Sequence, residues 1–269
     1  MVPALNEEEA IGDVIDTVPW RELADEGFAT EVLVVDGRSE DGTAVIAKSR
    51  GAKVLSQNGK GKGLGVRQAL SLSHPQQVVM NVLSAREGVD VAVDTMRSFL
   101  DSKFVVMIDA DGTYPAEHIV DVVRALDKGN DVVMGSRFLG EIAEGAMTKL
   151  NYFGNLVLST TASVMYLHPV SDLCTGLWGF RTTALRTLAL DSKGFELEAE
   201  IFAQAVKSGL RIAEVPIGYY SRKGETKLVP IKSGVTIMKK LVQRRVLDAI
   251  DGMPRLGDGD DLVALPTLH

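Results

Sequence analysis

Two acidic residues one position apart, Asp109 and Asp111, close an apolar run in FVVMIDADGTYP (104–115). Residues i and i+2 of an extended segment share a face, so the two carboxylates converge if the strand runs on. A pair of hard oxygen ligands suits Mg²⁺ or Mn²⁺, ions that keep several waters and bind substrate phosphates. Thr113, two residues further on, adds a hydroxyl to this metal set. The same residue types also suit a helix cap and turn, and the pair alone does not choose between the two.

Other polar groups have the chemistry to join such a pair. GKGKGLG (59–65) carries Lys60 and Lys62 and leads into a helix, where backbone N–H groups favour an anion. No Lys-Ser/Thr follows its last glycine, so it is not a Walker loop. Asp36 ends an apolar run and reads either as an acceptor for a base or ribose or as a turn cap. Arg137 in GSRF follows a buried strand and must meet an anion from protein or ligand. Lys149, Arg222 and Lys227 lie in polar stretches, where a solvated charge is the alternative. Asp172 and the trio Glu196, Glu198 and Glu200 are candidates for acid–base work. The trio also suits a solvated helix start. The four histidines have no ligand spacing.

The elements that must position these groups follow from periodicity. EVLVVDG (31–37), AKVLSQ (52–57), FVVMID (104–109), DVVMGSRF (131–138) and AEVPIGYYSR (213–222) read as strands, the last entering a polar loop. Helices are predicted over 7–18, 39–51, from Pro115 to Leu126, and over 150–167, 195–209 and 231–250. Alternating strands and helices imply an α/β fold with a mostly parallel sheet and helices on both faces. Ligands of such sheets sit beyond the carboxyl ends of the strands. Asp36, the 59–65 loop, Asp109, Asp111 and Arg137 all fall there.

The chain has 269 residues, 45% hydrophobic and 24% charged, which suits one α/β domain with an extension. A net charge of −7 argues against general nucleic-acid binding. The single cysteine, Cys174, allows no intramolecular disulfide, and a reducing cytoplasmic setting is expected. The longest apolar stretch, 156–167, is too short to span a membrane and contains Ser159, Thr160, Thr161 and Ser163.

In order along residues 2–230, VPALNEEE, VVDGRSEDGT, GKGLGVRQAL and DAD resemble the family 2 glycosyltransferases of GT-A fold. GSRF, EGAMTKLNYFGN, DLCTGLWGFR, GFELEAEI and PIGYYSRKGETKL are similar to dolichyl-phosphate mannose synthases. They are more similar still to archaeal polyprenyl-phosphate glycosyltransferases that begin S-layer N-glycan assembly. The resemblance implies a nucleotide-sugar donor (UDP-hexose or GDP-mannose), a polyprenyl or dolichyl phosphate acceptor and an Mg²⁺ or Mn²⁺ cofactor. Pro3, Ala4, Leu5, Glu7, Asp36, Lys62, Asp109, Ala110 and Asp111 would line the donor site. Asp109, Asp111 and Thr113 would hold the metal. Arg137, Lys149, Arg222 and Lys227 would grip the acceptor phosphate. Asp109, Asp111, Asp172 and Arg137 would be the catalytic set, acting by in-line displacement with inversion.

The resemblance also implies a longer first strand than the residues ahead of VPALNEE supply, and marks 71–103 as an insertion. The domain is expected over 1–230, followed by a basic amphipathic helix (231–250) suited to a membrane surface and a tail (251–269). A peripheral place on the cytoplasmic face follows as an expectation. Two alternatives stay open: a relative using a soluble phosphorylated acceptor, and a non-catalytic sugar-nucleotide-binding protein. A sugar nucleotidyltransferase fits less well, because LNEEE stands where a glycine-rich basic loop is expected.

Overall fold

A computed structural model describes residues 1–71, 97, 101–224 and 230–251, with Ser71 and 247–251 described by backbone alone. Lys227, the tail from 252 and most of the expected insertion over 71–103 lie outside the described residues.

The elements run β1 (Val2–Ala4), α1 (Ile11–Asp16), α2 (Trp20–Asp25), β2 (Leu33–Asp36), α3 (Thr43–Ser49), β3 (Lys53–Ser56) and α4 (Lys62–Ser71). They continue with β4 (Phe104–Ile108), a 3₁₀ turn (Ala116–His118), α5 (Ile119–Asp127), β5 (Val132–Ser136) and α6 (Lys149–Tyr166). Then follow β6 (Leu177–Arg181), α7 (Thr182–Leu185), α8 (Leu197–Lys207), β7 (Ile212–Pro216) and α9 (Pro230–Asp251).

β1, β2 and β3 pair in parallel, and β4, β6, β5 and β7 form a second ladder in that order. Met1 joins the two: its nitrogen donates to the Val106 carbonyl at 2.7 Å, and Ile108 N–H donates to the Met1 carbonyl at 3.1 Å. The result is one mixed sheet, β3-β2-β1-β4-β6-β5-β7, in which only β6 runs against its neighbours. The mostly parallel α/β sheet is therefore present. LWGFR, which periodicity left unassigned, is the reversed strand, and its start lies at the carboxyl ends of β4 and β5.

Strand alternation splits the core between the sheet's faces. Val105, Met107, Val132, Met134, Trp178 and Phe180 pack with residues of α4, α6, α8 and α9. Val2, Val34, Ile108, Val133 and Leu177 pack with α1 and α5. The helix predicted over 7–18 starts only at Ile11, because Glu7 is used elsewhere. Its carbonyl takes the Ala10 and Ile11 N–H groups, and its carboxylate pairs with Arg222. The helix predicted from Pro115 begins as the 3₁₀ turn. Helix α2 was not foreseen; its six residues bury only Leu23, too little for a periodic signal.

Candidate active site

β4 ends at Ile108, so Asp109 lies at the edge of the sheet and Asp111 sits in the turn that follows. Asp109 faces α4 and α8. Lys62, the first residue of α4, reaches Asp109 Oδ1 and Glu198 Oε1, each at 2.6 Å. Burial works against the Lys62 charge, but Asp109 and Glu198 hold its pKa above the usual lysine range. Burial pushes Asp109 up to about 6; Lys62 opposes the shift, and the charges of Asp111 and Glu198 add to it. Opposite Asp109, at the entry to β6, is Gly176. A Cβ there would stand 2.3 Å from Asp109 Oδ2.

Asp111 is held from two sides. Thr113 donates its hydroxyl (2.6 Å) and backbone N–H (3.1 Å) to Oδ1, and Arg222 Nη1 donates to Oδ2 at 2.9 Å. Arg222 Nη2 bonds Glu7 at 2.5 Å, so one guanidinium links the turn after β1 to the turn after β4. The segment leaving β7 lies across that turn: Tyr220 N–H donates to the Thr113 carbonyl (3.0 Å) and Lys223 N–H to the Asp111 carbonyl (3.1 Å). Arg222 Nε is buried without a hydrogen-bond partner among the described residues.

On the donor side, Pro3, Ala4 and Leu5 lead out of β1 beside Asp36 at the end of β2. Gly37 N–H donates to the Ala4 carbonyl at 2.7 Å. The Asp36 carboxylate accepts from the N–H groups of Arg38 (3.2 Å) and Ser39 (3.3 Å), capping a turn in which Arg38 is left-handed (φ 64°). Asn6, also left-handed (φ 47°), accepts from Glu40 N–H at 2.8 Å. The two turns thus brace each other. Ala110 is buried and Leu5 is exposed.

Arg137 and Asp172 form a buried pair, 5% and 0% exposed. Nε and Nη2 of Arg137 each reach the carboxylate at 2.6 Å, and Arg137 N–H donates to it at 3.0 Å. The guanidinium lies 5.0 Å from the centre of the Tyr219 ring and 6.0 Å from that of Tyr114. Lys149 opens α6 and is exposed. Of the acidic trio, Glu198 reaches the Asp109 centre, while Glu196 accepts from Lys193 and Gly194 N–H and Glu200 from Asp191 and Ser192 N–H. Tyr114, Tyr219 and Gly176 belong to the site and were not singled out in the sequence. No sequence signal marks Gly176: the antiparallel register that pairs Leu177 with Ile108 sets it against Asp109.

The site gathers the carboxylates of Asp109, Asp111 and Glu198 around two cations, Lys62 and Arg222, and an excess of carboxylate over cation is the condition a hard divalent ion relieves. Among the described residues no group of three or more His, Cys, Asp and Glu is placed to hold a metal. The carboxylate oxygens of Asp109 and Asp111 are hard donors of the type that suits such an ion. No described helix is long and apolar enough to cross a membrane.

The glycosyl transferase family 2 model matches residues 1–82 and 72–189. Glycosyltransferase AglJ of Haloferax volcanii is 33% identical over 91% of this chain and 70% of its own length. A dolichyl-phosphate hexose transferase of the same organism is 34% identical, covering 88% of this chain and 89% of itself. Among solved structures, glucosyl-3-phosphoglycerate synthase of Mycobacterium tuberculosis, in complex with Mn²⁺, UDP and glucosyl-3-phosphoglycerate, superposes with a TM-score of 0.63. It is 21% identical, with 91% of this chain and 78% of that one covered, so this likeness speaks to the fold alone.

Proposed function

Because the chain belongs to glycosyl transferase family 2 and is a glycosyltransferase, we propose that it moves a hexose from a nucleotide-diphosphate sugar to a polyprenyl phosphate. The observation that carries this reading is the Asp109–Asp111 pair at the end of β4, ringed by Lys62 and Arg222. The relative that is a dolichyl-phosphate hexose transferase supports the lipid acceptor. The donor is a UDP-hexose or GDP-mannose.

Asp109 and Asp111 would hold Mg²⁺ or Mn²⁺, which as a Lewis acid supplies charge to the leaving diphosphate. Thr113 keeps the Asp111 carboxylate aimed by its two hydrogen bonds. Pro3, Ala4, Leu5, Glu7 and Asp36 line the nucleotide side, and Lys62 holds Asp109 in place. A phosphate monoester is already anionic near neutral pH, so the acceptor needs orientation more than a general base. Arg222 and Lys149 supply that orientation by charge. Asp172 fixes Arg137, whose position against Tyr219 shapes the acceptor side. Displacement is in line, with inversion at the anomeric carbon.

A lipid acceptor brings the enzyme to a membrane surface, on the cytoplasmic side where nucleotide sugars are available. Exposed Ile231, Val235, Val242 and Val246 on α9, with Lys232, Lys239 and Arg245 among them, suit that contact. On α6, Leu150, Phe153, Val157 and Val164 are exposed as well.

The test is transfer of label from UDP-hexose or GDP-mannose, with Mg²⁺ or Mn²⁺ and a polyprenyl phosphate. Label in the organic phase, lost with chelator, is the expected result. Label that remains aqueous with a phosphorylated small acid would replace the lipid acceptor with a soluble one. No transfer with any pair would overturn the proposal.

A further inference from the structure

Glu198 and Glu200 lie two residues apart on α8, roughly 200° around the helix, and serve opposite sides. Glu198 meets Lys62 in the active site. Glu200, fully buried, meets α9 instead: Arg244 Nε donates to its Oε1 at 2.8 Å, and Arg244 Nη2 also bonds that oxygen. Arg244 Nη2 further contacts Asp191 Oδ2 at 3.1 Å and donates to the Ala189 carbonyl at 2.9 Å. Lys240, 9% exposed, pairs with Asp191 and lies 3.9 Å from Glu200.

What these cations grip is the loop 189–194. Glu200 accepts from the N–H groups of Asp191 (3.0 Å) and Ser192 (2.8 Å). The other side of that loop is the wall against which the glycine-rich segment rests. Leu64 N–H donates to the Lys193 carbonyl at 3.2 Å, and Arg67 Nη1 to the Asp191 carbonyl at 2.9 Å. A Cβ on Gly61 would stand 2.2 Å from the Lys193 oxygen, and one on Gly63 2.8 Å from the Ser192 oxygen. The glycines allow backbone to lie on backbone, so the height of the 189–194 loop sets the height of Gly61–Leu64. Lys62, between them, carries that setting to Asp109.

We infer that Arg244, assisted by Lys240, is a positioning residue for the donor side. It touches no reacting group and acts through Glu200 and the 189–194 loop on the glycine-rich segment and Lys62. The inference rests on the donor-side reading of that segment. It gives the inner face of α9 a role separate from its exposed outer face.

Amide hydrogen exchange followed by mass spectrometry tests the coupling without any assay of transfer, and titration with UDP or GDP in the presence of Mn²⁺ tests its consequence. Arg244→Gln should raise exchange in 59–67 and 189–194 on the order of tenfold, leaving 104–108 unchanged. It should weaken nucleotide binding on the order of tenfold, and Arg244→Lys should recover most of both. Glu200→Gln, which keeps Arg244 in place, should move the same peptides and serves if Arg244→Gln does not fold. Looser 189–194 with unchanged 59–67 would overturn the inference, and so would a rise spread over every peptide, which marks a merely structural role. If the wild-type protein binds neither nucleotide, the donor reading fails, while the exchange comparison still decides the coupling.

Discussion

Lys62 and Asp109, 47 residues apart in sequence, meet at 2.6 Å, and the same ammonium reaches Glu198 at 2.6 Å. One cation therefore neutralises two carboxylates from two different elements, Glu198 buried and Asp109 partly exposed. Breaking such a pair from one side leaves an uncompensated charge. Lys62→Met should lower unfolding free energy by about 3 kcal/mol. Adding Glu198→Gln to Lys62→Met should cost less than the sum of the two single changes, because the second removes a charge the first had stranded. Urea denaturation of the four proteins checks this.

Asp111→Ala should reduce transfer at least about a thousandfold while the protein stays folded, since it removes one of two carboxylates at the reacting centre. Circular dichroism and the transfer assay together check it. Activity near the wild-type level in a folded Asp111→Ala protein would sink the metal-holding role.

Arg137 and Asp172 are spent on each other out of contact with water. Asp172→Asn should destabilise by about 3–5 kcal/mol, because it strands the buried guanidinium. The pair Arg137→Met with Asp172→Leu should recover part of that stability and none of the activity. A Asp172→Asn protein as stable as wild type would show that the guanidinium finds another partner.

Burial pushes the Cys174 thiol up to about 12; Arg137 works against the shift, and Asp172 and Glu198 add to it. The folded protein thus keeps this proton where an unfolded chain, near 9, gives it up. The resulting stability is complete below the unfolded value and is lost as pH rises from about 9 towards about 12. Iodoacetamide should label Cys174 in denaturant and hardly at all in the native protein; equal rates would contradict this.

The exposed apolar residues of α6 and α9 lead to a vesicle experiment. The protein should sediment with vesicles containing anionic lipid at low salt and be released as salt rises. Val242→Glu with Val246→Glu should abolish sedimentation without lowering the melting temperature, because both side chains are exposed. Absence of binding at low salt would count against the membrane surface.

Much of this fold was legible because its strands are short apolar runs that end in Asp, Gly or Arg. That pattern gave Asp36, Asp109 and Arg137 their places at strand ends. Periodicity cannot report strand direction, so the reversal of β6 stayed hidden although LWGFR was visible as a segment. Nor can it report who shares a cation. Arg222 read as a solvated charge or an acceptor-phosphate ligand, and only the packing of the segment after β7 onto Thr113 and Asp111 brings it to Glu7. The helix start at Glu196–Glu200 read as one acidic cluster, yet the three carboxylates serve three different partners. Helical rotation explains the split of Glu198 from Glu200, but nothing in the sequence names Lys62 or Arg244 as their partners.

Gly176 has little room to change. Across the β4–β6 pair, any side chain there would overlap Asp109 Oδ2, at 2.3 Å from a Cβ, and the Tyr114 ring, at 2.8 Å. For a lineage carrying this sequence, drift at that position is closed unless Asp109 moves first, and Asp109 cannot move without releasing Lys62. The order in which mutations can accumulate is thus dictated by a missing methyl group. A library randomised at 176 and selected for function should return glycine and almost nothing else.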